Sequence, residues 1–223
     1  MPAHRLEVPA ELNRNAQRVV DAGFEETALL VLTNVAQVLG VPDLGKLDVL
    51  DVGCGGRFTQ TILNRDVPIR SYTGVDIEPK LIDWLQKNVR DPRFRFALWE
   101  VRNEMYRKRA QPLTRDSRLP VEGTFDLICL FSVFTHMGPD DADAMLHVLR
   151  PHARVDGRLL FTAFLDDEVG TFRDKDPETP LRKAVYAEPY LRGIVEKNGW
   201  RVLKSIPKRR EMFVAHQLLC GPA

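Results

Sequence analysis

Asp51, the glycines at 53, 55 and 56, and Asp76 are the residues whose types and spacing point to chemistry. Asp51 stands near the end of an apolar run, Leu47 to Val52, and the three glycines follow it at once. A strand that stops on glycines has no side chains to block a ligand. Backbone groups and the next helix N-terminus can then approach a small anionic or zwitterionic group. Asp76 ends a second run, Ser71 to Asp76, and lies 20 residues after Gly56. A carboxylate there can accept both hydroxyls of a ribose. The turn is a poor match to a pyrophosphate site, which needs G-x-G-x-x-G: counted from Gly53, the last position is Phe58. Asp51 would also repel a pyrophosphate, whereas it would attract an ammonium group. His136 is the histidine beside the same predicted site, and its pKa range suits a general base. A structural histidine is the competing reading.

These residues need strands to end where they stand. The first 45 residues read as helical, with Leu29, Leu32, Val35, Ala36 and Leu39 at helical spacing before Gly40 and Pro42. Strands and helices then alternate. Strands are expected at Leu47 to Val52, Ser71 to Asp76, Phe94 to Leu98, Phe125 to Leu130 and Arg158 to Phe164. Pro79 opens one helix, Asp140 or Asp141 caps another, and a third carrying Leu191, Ile194 and Val195 stops at Asn198-Gly199. Trp200 to Ile206 and Met212 to Leu218 form a last, antiparallel pair. Near-continuous apolar strands between helices imply an α/β fold: a mostly parallel seven-stranded sheet with an antiparallel last strand and helices on both faces. In such sheets ligands sit beyond the carboxyl ends of the strands.

The chain of 223 residues suits one sizeable domain, read as a helical extension (residues 1–45, a candidate lid) on a main domain (46–223). A net charge of +1 gives no global field to recruit nucleic acid or membrane. There is no apolar run long enough to span a bilayer and no charged-then-apolar leader. Cys54, Cys129 and Cys220 lack metal or CxxC spacing, so no metal is expected and a reduced, cytoplasmic setting is. Two basic clusters read as solvated loops: Arg102, Arg107, Lys108, Arg109, Arg115 and Arg118, and Lys204, Lys208, Arg209 and Arg210. The long stretch between strands three and four, residues 99–124, reads as a functional or mobile connection, with Tyr106 as a surface aromatic and, as the competing reading, a substrate contact.

Asp51-Val-Gly-Cys-Gly-Gly, Gly74-Val-Asp-Ile-Glu-Pro and the run from Phe125 through Ser132-Val-Phe-Thr-His136 stand in an order and spacing that resemble the class I, Rossmann-like S-adenosylmethionine-dependent methyltransferases. Leu149-Arg-Pro and Gly157-Arg-Leu-Leu-Phe-Thr extend the resemblance over roughly residues 47 to 165. It implies S-adenosyl-L-methionine as cofactor. Backbone at Gly53, Cys54, Gly55 and Gly56 would then cradle the methionine end, with Asp51 near its ammonium. Asp76 would hold the ribose and Ile77 the adenine. Glu100 would meet the exocyclic amine and the Val101 amide a ring nitrogen. Phe131 and Ser132 would border the methyl group. Where the family has a further glycine this chain has Arg57, so either the turn is one residue shorter or Arg57 replaces that glycine.

The reading that follows is methyl transfer to a small-molecule acceptor, with a hydroxyl as target and His136 as base. Nucleic acid and membrane partners are not expected, and monomer and homodimer both stay open. Three alternatives stand beside it: a non-catalytic binding protein of the same fold with a degenerate loop, methylation of an RNA-type substrate, and a dinucleotide enzyme.

Overall fold

Val49 and Leu50 are neighbours, both buried, yet they pack into different cores. That is the consequence of strand geometry: successive side chains leave on opposite faces, and here both faces are covered. The computed structural model describes residues 5–15, 17–104, 106–176, 178–208 and 214–223. Two helices precede the sheet, α1 (Gln17–Asp21) and α2 (Phe24–Leu39). Then follow β1 (Leu44–Val52), α3 (Arg57–Asn64), β2 (Ile69–Asp76), α4 (Pro79–Asn88), β3 (Phe94–Leu98) and β4 (Phe125–Leu130). The chain continues through α5 (Pro139–Leu149), β5 (Ala153–Leu165), β6 (Phe172–Asp174), β7 (Ala184–Tyr186), α6 (Glu188–Lys197), β8 (Trp200–Ile206) and β9 (His216–Pro222).

The main sheet runs β3-β2-β1-β4-β5-β9-β8, parallel except for β9, which pairs antiparallel with both β5 and β8. This is the expected architecture. Two short strands add to it: β7 extends β5 in parallel through Phe164 and Leu165, and β6 pairs antiparallel with β7. Three-residue strands carry too little periodicity to be read from sequence.

Helices α2, α3 and α4 cover one face with Val35, Ile62 and Leu85, and α5 and α6 cover the other with Leu146 and Leu191. The inner face of α2 is Ala28, Val31, Leu32, Val35 and Ala36; Leu29, expected inward, is 37% exposed. The side chains of Asn34 and Gln217 bond across 2.8 Å and tie α2 to β9. Helix α5 is capped by Gly138 with Pro139 in the first turn, not by Asp140 or Asp141. Those aspartates lie one step inside, where the helix dipole still favours them. β9 runs to Pro222, and the residues expected to begin it, 212 and 213, lie outside the described set together with Arg209 and Arg210.

The 99–124 connection is anchored rather than loose. Leu113 and Leu119 are buried, and Val101 and Gln111 form a bridge. Among the described residues no helix is long and apolar enough to cross a membrane.

Candidate active site

A cavity of about 230 Å³ opens at the carboxyl ends of β1, β2 and β4, where parallel strands stop side by side and their helices turn away. Register brings its parts together: Asp51 of β1 pairs with Gly74 of β2 and Cys129 of β4. Of the residues expected at the site, Asp51, Gly53, Cys54, Gly55, Gly56, Asp76, Ile77, Val101, Phe131, Ser132 and His136 all line this cavity. Glu100 does not. Its side chain is 75% exposed and accepts a hydrogen bond from Arg107 at 3.1 Å. Asn103, three residues on, lines the cavity instead.

The glycine turn is shaped by close approach. Gly53 has φ 76°, and a Cβ there would fall 2.6 Å from Val133. Gly56 caps α3, and a Cβ there would fall 2.6 Å from Val8 of the N-terminal segment. Gly56 is therefore the close-packing glycine at the helix start, and Arg57 is the first helical residue. This fits the reading in which the turn is one residue shorter. The turn is not an anion nest. The amides of Gly53 and Cys54 both donate to the Val75 carbonyl, at 2.7 and 3.1 Å, and that of Gly55 donates to Asp76 Oδ2 at 3.0 Å. The carbonyl oxygens are the main-chain polar atoms left to a ligand there. Beside the Asp51 carboxylate they suit a cationic group. An anionic group finds its complement one step later, at the first-turn amides of α3 and the Arg57 guanidinium. Arg57 lines the cavity, donates from Nε to the Phe24 carbonyl at 3.2 Å, and is pushed down to about 10 by burial.

Two buried carboxylates give the cavity a strong need for positive charge. Asp51 is 2% exposed; burial pushes its pKa up to about 7, opposed by the Tyr72 hydroxyl that donates to Oδ2 at 2.5 Å. Asp76 is also raised, again by burial, with the Gly55 amide and the Arg14 charge acting the other way. Its Oδ1 accepts from the Glu78 amide at 3.0 Å. Each Asp76 oxygen thus holds one amide and keeps lone-pair capacity for one more donor.

Cys54 contributes no reactive thiol. Burial, with the charges of Asp76 and Asp51 adding to it, holds its pKa well above the usual thiol range. Ser132 sits at φ 60°, a conformation rare for a residue with a side chain, and its amide donates to Thr162 Oγ1 at 2.7 Å. The strained turn is thereby bonded to β5.

His136 stands on the far wall, and burial holds its pKa below the usual imidazole range. It also lines a second, wider groove of about 1100 Å³, with Phe164, Lys183 and His216. The Tyr106 ring packs edge-on against it with centroids 5.9 Å apart, and the Arg14 guanidinium lies 4.9 Å over Tyr106. Arg14 is further ion-paired with Glu78. Tyr106, which the sequence offered as a surface aromatic or a substrate contact, is 40% exposed and also lines the cavity, and Arg14 is a cavity residue that sequence patterning did not single out. Neither stands near a motif; only packing of the N-terminal segment and the 99–124 connection brings them here. Among the described residues no group of three His, Cys, Asp or Glu is placed to hold a metal ion.

Residues 50–159 match a family model described as a methyltransferase domain. The chain is similar in structure to magnesium protoporphyrin IX methyltransferase (ChlM) from Synechocystis PCC 6803, solved with bound SAM. The TM-score is 0.58 at 18% identity, over 98% of this chain and 86% of that one. It is similar to the glycopeptide N-methyltransferase MtfA with S-adenosyl-L-homocysteine (TM-score 0.59, 10% identity, 90% of each chain). It also resembles the mitomycin 7-O-methyltransferase MmcR (TM-score 0.56, 17% identity), covering 96% of this chain and 60% of that one.

Proposed function

We propose that this chain, whose residues 50–159 match a methyltransferase-domain model, is a class I S-adenosylmethionine-dependent methyltransferase and that it methylates a small-molecule acceptor at a hydroxyl oxygen. The observation that carries the reading is the place of His136, on a wall shared by the cavity holding Asp51 and Asp76 and by the wider groove. A cofactor in the first and an acceptor in the second would meet there.

The residues present fit S-adenosylmethionine. Asp76, with one amide on each oxygen, suits a vicinal diol. Asp51 and the carbonyls of the glycine turn suit an ammonium, and Arg57 with the α3 N-terminus suits the adjoining carboxylate. Ile77, Leu81 and Val101 supply apolar surface for an adenine, with Asn103 as the polar side chain beside them. When bound, the cofactor supplies an electrophilic methyl group on a sulfonium. What remains for the protein is alignment and exclusion of water. His136, held neutral by burial, takes the acceptor's proton.

Residues 1–45 act on this reading as a helical extension of the 46–223 domain, with their first part as lid. Val8 is seated on Gly56, while Leu12 and Arg14 border the cavity. Asn64 and Gln60 of α3 hold this segment by accepting from the Leu6 and Val8 amides at 2.9 and 2.8 Å. Arg102, Arg107 and Arg115 are bonded to Glu104, Glu100 and Asp143, which supports a self-neutralised surface over a nucleic-acid face.

Calorimetric titration with S-adenosylmethionine and S-adenosylhomocysteine tests the cofactor assignment; no heat and no thermal shift with either overturns it. Mass spectrometry of products from matched alcohol, phenol and amine acceptors tests the hydroxyl. Methylation confined to the amines rules it out. Glu100→Ala is expected to leave S-adenosylhomocysteine affinity within about twofold, since an exposed ion pair contributes little. His136→Gln is expected to lower turnover about 100-fold, the lower end for proton transfer because the sulfonium is already activated, with cofactor affinity kept. Full turnover in this variant removes His136 as base.

A further inference from the structure

We propose that Asp174 is a positioning residue for His136, acting through the main chain of Leu181 to keep the imidazole proton on Nδ1 and the Nε2 lone pair available. The inference rests on the reading of His136 as base. The observations begin at the ring. His136 Nδ1 lies 3.2 Å from the Leu181 carbonyl oxygen, and the main chain of Arg182, the next residue, adds a lesser contact to the ring. A carbonyl can only accept, so Nδ1 carries the hydrogen. In a neutral imidazole the other nitrogen then has the lone pair that a base needs.

Leu181 presents this carbonyl from an unusual backbone conformation. Leu181 has φ 59°, in the left-handed region that a leucine rarely adopts. Such a conformation persists only where surrounding contacts over-determine it. Here the contact is Asp174: its Oδ2 accepts from the Leu181 amide at 2.8 Å and its Oδ1 from the Asp176 amide at 3.2 Å. Asp174 is itself fixed as the last residue of β6, paired with Ala184 of β7, and the Lys175 amide donates to the Lys183 carbonyl at 3.0 Å to close the loop.

The same two-stranded unit grips the main chain after the ring. The Tyr186 hydroxyl donates to the Met137 carbonyl at 2.6 Å, and the Leu181 side chain approaches Gly138. From the other side the Asn103 side chain donates from Nδ2 to the His136 carbonyl at 3.3 Å. The β6–β7 excursion, which the main sheet does not need for its pairing, therefore orients one imidazole at the junction of two cavities.

The test reads the tautomer directly. Long-range nitrogen–proton NMR of ¹⁵N-histidine-labelled protein, saturated with S-adenosylhomocysteine, is expected to show a single Nδ1–H species for His136, with Nε2 at the unprotonated shift. Asp174→Ala is expected to draw the two nitrogen shifts toward each other, as both tautomers become populated. Asp174→Asn, which keeps an acceptor oxygen for the Leu181 amide, is expected to restore the wild-type pattern. Cofactor affinity and thermal stability, measured on each variant, separate this local effect from unfolding. A wild-type His136 that carries its proton on Nε2 overturns the proposal without any variant, as does an Asp174→Ala protein with unchanged shifts. Neither readout uses turnover, so failure here is distinct from failure of the base assignment, which His136→Gln decides.

Discussion

Asp76→Ala is expected to lower the affinity for S-adenosylhomocysteine by about 10²- to 10⁴-fold, measured by calorimetry. A buried carboxylate accepting from two ribose hydroxyls makes two charge-assisted bonds, each contributing about 1.5–3 kcal/mol. Alanine removes both acceptors and leaves the hydroxyls unpaired inside the cavity. It also strands the Gly55 and Glu78 amides, which Asp76 now satisfies at 3.0 Å each. Some loss of thermal stability is therefore expected in the absence of ligand. Asp76→Asn separates the two effects. One amide oxygen keeps an acceptor for a main-chain donor, but the charge is gone, so affinity falls to an intermediate level while the fold holds. An alanine variant that binds as tightly as the parent would show that the ribose lies elsewhere.

Asp51→Asn is expected to push binding and stability in opposite directions. A buried ammonium that loses its counter-charge costs about 3–5 kcal/mol, so cofactor affinity should fall by roughly 10²- to 10⁴-fold. The unliganded protein should gain. Asp51 has its pKa raised from 3.8 to about 7 in the folded state, mainly by burial. The folded form therefore binds more protons than the unfolded form between these values, and stability falls as pH rises through the interval. The raised pKa corresponds to an effect on the order of 4 kcal/mol, present at pH 4 and lost by pH 7 to 8. Asparagine carries no such dependence. Denaturant unfolding of both proteins should show a gap in favour of the variant that widens from pH 4 to 7 and then stays constant. Parallel stability profiles would place the Asp51 pKa near its ordinary value. A companion expectation concerns the parent alone. An ammonium selects the ionised carboxylate, so affinity for S-adenosylhomocysteine should weaken as pH drops from 8 to 6.

The pairing of Asp51 with Tyr72 gives these opposed effects a structural source. The hydroxyl bond at 2.5 Å moderates the burial of the charge without cancelling it. The unliganded site thus stores a destabilised carboxylate that a cationic ligand relieves. This is the familiar opposition between stability and function at a binding site.

The glycine turn shows how far sequence carries and where it stops. Its position, the acidic residue before it and the acidic residue at the end of the next strand were all legible, and all three reach one cavity. What the turn offers a ligand was not. Glycines in a row suggest exposed amides, yet three of those amides are taken by Val75 and Asp76. Which backbone groups remain free depends on how β2 lies against β1, a relation between segments 20 residues apart. Glu100 illustrates the same limit for a side chain. Its place after β3 was right for a cavity residue, but Arg107 draws it outward and Asn103 stands in the wall.

Local order was determined by the sequence alone: strand, glycine turn, helix, acidic strand end, and the alternation that requires a parallel sheet. These are properties of contiguous residues, set by side-chain periodicity and by the sterics of glycine and proline, and they need no distant partner. Only the tertiary structure decided the walls of the site. Arg14 and Tyr106 meet over His136 from segments far apart in the chain, Val8 packs on Gly56, and Leu181 in a strained backbone turns a carbonyl to the imidazole. A side chain's direction and a histidine's tautomer are choices among nearly equal local states. Contacts from remote elements, worth a few kcal/mol each, tip such choices, and those contacts exist only after the chain has packed.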